Sequence, residues 1–111
     1  MMTFDEYQKA ALKTAITHPD PLMDKTIWVM GVAGEAGEVV EKWKKIVAYK
    51  DGKITDEDLA ELAKELGDVV WYIAVLADSL GLSFDDIVNK NLSKLRDRKE
   101  RGVQKGSGDN R

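Results

Sequence analysis

Apolar residues recur along this chain at the three- and four-residue intervals of amphipathic helices, and nowhere in the strict alternation of a strand. Phe4, Tyr7, Ala11, Leu12 and Ala15 follow the capping-box pattern of Thr3 and Glu6, which predicts a first helix up to the breaker His18-Pro19-Asp20-Pro21. A second helix is expected from near Asp24 to about Tyr49, stopped by the Asp51-Gly52 turn signal. Thr55 and Asp58 cap a third, in which Leu59, Leu62, Leu66, Val69, Ile73, Leu76 and Leu80 form one stripe before Gly81. Ser83 and Asp86 open a fourth, carried through Ile87, Leu92 and Leu95 to about Arg101. Residues 102–111, GVQKGSGDNR, are expected to form a disordered tail beyond a single domain of residues 1–101.

Four helices with short connections and no internal repeat imply an all-α fold, a four-helix, up-and-down bundle or a close relative of one. Val69 to Ala77 is apolar all round. In so small a domain this predicts that more than one face of the third helix is covered, most simply by a second subunit, hence a homo-oligomer.

Composition narrows the classes. A chain of 111 residues builds one core, and 43% apolar with 33% charged residues excludes disorder for most of it. The absence of Cys excludes disulfides, thiolate metal sites and a Cys nucleophile, and leaves oxygen donors for any metal. The opening MMTFDEYQ lacks the basic and apolar regions of a signal peptide, and no uncharged run approaches the roughly 20 residues of a membrane span. A soluble, cytoplasmic protein without a membrane partner is expected. The net charge of -3 weighs against a stable nucleic-acid partner, and the basic fourth helix has no aromatic-studded surface for RNA. Charge is nevertheless uneven: Lys90 to Lys105 holds seven basic residues against Asp97 and Glu100.

The candidate chemistry lies in four carboxylates. Glu35 and Glu38 are the only charges in IWVMGVAGEAGEVV (27–40), and Asp68 is alone in LGDVVWYIAVLA (66–77), with Glu65 one helical turn before it. A carboxylate removed from water needs a cation, a metal or a proton, and neither run contains Lys or Arg. At i,i+3 the two members of each pair share a helix face, about 5 to 6 Å apart between Cβ atoms. Antiparallel packing of the second and third helices would bring the pairs together. Two charges about 5 Å apart at an effective dielectric of 20 repel by roughly 3 kcal/mol, which divalent cations would relieve. All-carboxylate ligation favours Mg²⁺, then Mn²⁺, over Zn²⁺, and the Glu-x-x-His motif of di-iron bundles is absent.

Gly31, Gly34 and Gly37 also recur at i,i+3, each costing about 1 kcal/mol relative to Ala in a helix. Close approach of a neighbouring helix, or of a ligand, is the expected compensation. Glu41, among lysines, is expected to face water, and His18 to be an ordinary loop residue.

GVAGEAGEVVEKW followed by KELGDVVWYIAVLADSLG resembles the MazG-like nucleoside triphosphate pyrophosphohydrolases, the all-α NTP pyrophosphatases, over roughly residues 27 to 101. The resemblance implies that Glu35, Glu38, Glu65 and Asp68, matching the family's ExxE and ExxD, are ligands for Mg²⁺. It also implies hydrolysis of an NTP or dNTP to the monophosphate and pyrophosphate by a dimer or tetramer. Many relatives carry a further Glu where this chain has Gly34, so any role of that acid is absent or supplied elsewhere. Chemically, such a reaction needs metals on the polyphosphate, an activated water and cations for the leaving pyrophosphate. Glu35 or Glu38 would orient or deprotonate the water. Lys94 and Arg98, at i,i+4 with Asn91 on the same face, are the candidates for phosphate contacts, in a segment similar to the family's Asn-x-x-Lys-Leu-x-x-Arg ending. The alternative for them is a solvated basic helix end favoured by the helix dipole. Tyr72, one turn after Asp68, is a candidate for stacking on the base or for the core; Trp28, Trp43 and Trp71 are further candidates for base contact, with burial the favoured alternative for each, most of all for Trp71.

Two other readings compete with a general nucleotide pyrophosphohydrolase. One is a dUTP-preferring member of the same superfamily; the other is a non-catalytic helical oligomer that binds a partner and keeps the acidic cluster as a structural metal site.

Overall fold

A computed structural model describes all 111 residues, and its regular structure is entirely helical: α1 Phe4–Leu12, α2 Pro21–Lys50, α3 Asp56–Ser79 and α4 Phe84–Arg101. The caps follow the sequence at three of the four starts. Thr3 and Thr55 each form a full capping box, with Glu6 and Asp58, and the Ser83 hydroxyl accepts from the Asp86 N–H. The second helix starts earlier than expected, because Asp20 and Pro21 initiate it. The Asp20 carboxylate accepts from the Leu22 N–H at 3.0 Å, and Pro21 holds the first helical position, where its missing N–H costs nothing. α1 in turn stops short of His18. The Ala11 and Leu12 carbonyls accept from Thr14 and Ala15 in i,i+3 fashion, and the Thr14 hydroxyl also donates to Ala11 O at 2.7 Å, so the last turn tightens and ends.

α2 and α3 form a long antiparallel hairpin through residues 51–55, where Asp51 takes the left-handed conformation, φ 53°, as the C-cap of α2. At its open end α1 packs on α3 and α4. There Ala11, Trp28, Ala74, Val75 and Phe84 make the buried core, with Tyr7, Leu12, Trp71, Tyr72 and Leu76 against them. Buried Gln8 locks this corner: its Nε2 donates to Ala74 O at 3.1 Å and Leu82 O at 3.0 Å, while its Oε1 accepts from the Phe84 N–H.

The four helices do not close into a bundle within one chain. The chain turns through 106° between α3 and α4, and α4 touches α1 and α3 but not α2. Only ten residues are buried. The radius of gyration is 17.0 Å, against about 13 Å for a compact domain of this length. The accessible surface is 8208 Å², against about 6,100 Å². Met30, Val40 and Val47 on α2 and Leu66 and Val70 on α3 are among the exposed apolar side chains. No single helix is long and apolar enough to cross a membrane.

Residues 102–111, expected as a disordered tail, follow a turn-rich path back along α4. Gly102, φ 70°, caps α4. The Arg111 guanidinium then donates to the carbonyls of Val103, Gln104 and Gly108.

Candidate metal centre

The antiparallel register of α2 and α3 sets Glu35 opposite Glu65 and Asp68, and one carboxylate oxygen from each of the three lies within 4.8 Å of the others. Glu35 and Glu65 are half-buried and Asp68 is exposed, so the group opens to solvent on one side. Glu38 stands apart. It is exposed, outside the trio, and acts on Glu35 through its charge. Thus three of the four expected ligands converge, and the fourth flanks them one turn along α2.

Electrostatics mark Glu35 as the strained member. Burial first, then hydrogen bonding with Glu65 and the charges of Asp68, Glu65 and Glu38, hold its carboxyl above the usual range. Three converging hard oxygen donors, with Glu35 crowded by the charges of the other carboxylates, are a donor set that fits a hard divalent cation, because such an ion replaces the repulsion with attraction.

One cationic neighbour of the site was not singled out in the sequence. Lys42 lies between Glu61 and Glu65, with Nζ 3.6 Å from Glu61 Oε2 and 3.9 Å from Glu65 Oε1. It also lines a cavity of about 300 Å³ with Lys45, Ile46, Tyr49, Lys50, Asp58 and Glu61. The spacing of Lys42, Lys45 and Tyr49 at i, i+3 and i+7 was the available signal. Tyr7 was missed altogether as a neighbour of the site: α1 packs on α3, and burial, then the charge of Asp68, raises its phenol pKa.

The other candidates are scattered. The Tyr72 ring lies over Gly31, where a built Cβ would stand 2.2 Å from Tyr72 Cε1, and edge-on to Trp71 at 5.0 Å between centroids. One ring face is therefore committed to helix packing, the compensation expected for a glycine at position 31. Gly34 and Gly37 have no neighbour within 4 Å of a built Cβ. Trp28 is buried, Trp43 exposed, and half-buried Trp71 donates from Nε1 to the Thr14 hydroxyl at 2.9 Å. Asn91, Lys94 and Arg98 sit on α4, which bends away from α3 by 106° and makes no contact with α2. Lys94 and Arg98 instead hold the carboxylate of Asp109, at 2.8 and 3.0 Å. His18 is an anchoring loop residue: its N–H and Nδ1 both bond the Asp24 carboxylate.

Residues 25–103 match the MazG nucleotide pyrophosphohydrolase domain. The chain is 48% identical over 115 positions to the Gene 37 protein of Mycobacterium phage L5, an alignment covering 99% of this chain and 100% of that protein. It is 35% identical over 75 positions to the uncharacterized protein YvdC of Bacillus subtilis (strain 168), covering 66% of this chain and 71% of that one. No solved structure matches. The matched window holds the four carboxylates and Asn91, Lys94 and Arg98, and omits α1.

Proposed function

The chain belongs to the MazG nucleotide pyrophosphohydrolase domain family, and from that premise we propose that it hydrolyses a nucleoside triphosphate, NTP or dNTP, to the monophosphate and pyrophosphate in a Mg²⁺-dependent reaction. The convergence of Glu35, Glu65 and Asp68 across two helices carries this reading. Sequence spacing alone put each pair on one helix face. The antiparallel hairpin adds a single oxygen-lined locus open to solvent.

In this reading Glu35, Glu65 and Asp68 would hold Mg²⁺, with Glu38 as the fourth carboxylate of the site. Bound there, Mg²⁺ supplies charge neutralisation of the polyphosphate and lowers the pKa of water. Glu35 or Glu38 would orient a water and take its proton as the water oxygen bonds to the α-phosphorus. The bond between the α- and β-phosphoryl groups breaks, and pyrophosphate leaves with its electron pair. Lys42, already at Glu65, is placed to offset charge at the rim of the trio. Tyr72 contacts a base only through the part of its ring that Gly31 leaves uncovered.

Lys94, Arg98 and Asn91 meet the phosphates from a second copy of the chain. Two observations support a homo-oligomer: the surface and radius exceed those of a compact monomer, and α4 turns 106° from α3 without contacting α2.

The test is pyrophosphate and monophosphate formation from the eight common NTPs and dNTPs plus dUTP, with Mg²⁺ and with EDTA. Metal-dependent release that is lost in Glu65→Gln, with helicity intact, is expected. No turnover of any nucleotide by folded protein would sink the proposal, and a Mg²⁺-dependent rise in melting temperature in such inactive protein would indicate a structural metal site.

A further inference from the structure

We propose that residues 103–111 are a tethered competitor for the anion site formed by Lys94 and Arg98, with the Asp109 carboxylate occupying the position of a substrate or product phosphate. The inference rests on the proposed phosphate role of those two cations and adds a means of regulating it.

The Asp109 carboxylate accepts from Lys94 Nζ at 2.8 Å and Arg98 Nη2 at 3.0 Å, and its backbone carbonyl accepts from Arg98 as well. The Lys94 and Arg98 bonds hold the carboxylate below its usual pKa, so it is an anion at neutral pH. The Arg98 side of the contact is built, whereas the anion side is loose. The Arg98 side chain is 6% exposed, but that of Asp109 is 77% exposed. Moreover, Arg98 Nε is buried without a hydrogen-bond partner. An unpartnered buried guanidinium N–H is costly, and a single carboxylate at Nη2 leaves it so. A phosphate group, with three terminal oxygens and more charge, suits the guanidinium fork better.

Beyond Asp109, the segment meets α4 through the Val103 N–H on the Arg98 carbonyl and Arg101 Nη2 on the Arg111 carbonyl, and the Arg111 guanidinium ties it to itself, with almost no apolar contact. It reads VQKGSGDNR, with Val103 as its single aliphatic residue, and Gly108 adopts φ 81°. Exposed ion pairs contribute little in water and weaken further with salt. Docking of this kind is firm enough to cover the two cations and weak enough to be displaced by a polyphosphate.

Pyrophosphate is the probe, titrated calorimetrically in EDTA against the full chain and against Asp109→Asn. Removing the tethered charge is expected to tighten pyrophosphate binding roughly fivefold at low ionic strength, with the two chains converging as salt rises. Lys94→Ala weakens it in both backgrounds. Equal affinities in the two chains, or no pyrophosphate binding to either, would overturn the inference. A lowered melting temperature in Asp109→Asn without a change in affinity would mean the contact is only structural, which also overturns it. Nucleotide turnover measured on the same preparations separates the two claims. Turnover with equal affinities removes the tethered competitor and leaves the enzyme. Tighter binding by Asp109→Asn without any turnover keeps the competitor and removes the enzyme.

Discussion

Asp5 and Asp85 cap each other's helices. The Asp5 carboxylate accepts from the Asp85 N–H at 3.0 Å, and the Asp85 carboxylate accepts from the Phe4 N–H at 3.1 Å, joining the first turns of α1 and α4 across 80 residues of sequence. Ser83, the N-cap of α4, donates its hydroxyl to Asp5 as well. Each aspartate meets the positive end of the other helix, and the corner that positions α4 depends on them.

Acid should loosen this corner. The Asp85 N–H, then the Ser83 hydroxyl, hold Asp5 below the ordinary carboxylate pKa of 3.8. A depressed folded pKa contributes stability above the unfolded value, lost as pH falls through the folded one. Asp5→Asn should therefore melt below wild type at pH 7, with the gap closing below about pH 4. Melts at pH 7, 5, 4 and 3 check this; a gap independent of pH would refute the assignment.

Glu35 works in the opposite sense. Its carboxyl is raised above 4.5 by burial, then by Glu65 and the charges around it. The folded chain thus holds a proton that the unfolded chain releases, and this group makes metal-free protein less stable as pH rises from about 4.5 through the raised value. Glu35→Gln in EDTA should gain stability on wild type over that window. It should also lose the rise in melting temperature that Mg²⁺ gives wild type. With Mg²⁺ at ten times its dissociation constant that rise corresponds to about 1.4 kcal/mol, or several degrees for a domain of this size. A Mg²⁺ response preserved in Glu35→Gln would place the ion elsewhere.

The parts of the fold that sequence revealed are those with local causes. Thr3, Thr55 and Ser83 are caps because their side chains bond N–H groups three residues on, and the spacing shows it. Glu35 meets Glu65 and Asp68 because the short link forces α2 and α3 antiparallel, so the i,i+3 pair on α3 comes opposite Glu35. His18-Pro19-Asp20-Pro21 was read only as a breaker, although Asp20-Pro21 is equally a start signal. Glu38 falls outside the trio because i,i+3 neighbours diverge by about 60° around a helix, a difference that packing decides. The direction of α4 had no local signature. It depends on Gln8 and Asp5 gripping the Leu82 to Asp85 corner from the distant first helix, and therefore Lys94 and Arg98 could be named without being placed.

The three glycines of α2 should behave differently. A Cβ at Gly31 would overlap the Tyr72 ring, so Gly31→Ala is expected to destabilise by about 1 to 3 kcal/mol despite its better helix propensity. Gly34 and Gly37 face open space, and Ala there should stabilise the isolated chain by up to about 1 kcal/mol each. If either substitution instead weakens self-association or nucleotide turnover while helicity is kept, a second copy or the nucleotide lies against that glycine. Chemical denaturation, sedimentation and turnover on the same samples distinguish these outcomes.

The placement of α4 makes a prediction about subunit exchange. Lys94 and Arg98 are on a helix that does not reach α2, whereas Glu65 faces Glu35 within the same chain. If the cations serve the nucleotide held by another copy, Glu65→Gln and Arg98→Ala inactivate different halves of one composite site. In a two-fold dimer, mixing equal amounts and allowing exchange makes half the assemblies mixed, each with one intact site. Activity should then recover to roughly a quarter of wild type from two inactive parents. Were the cations to serve their own chain, the mixed dimer would hold two damaged sites and recover nothing. Confirming exchange with differently tagged chains makes a null result decisive, because intact mixed dimers without activity would require α4 to swing onto its own metal centre.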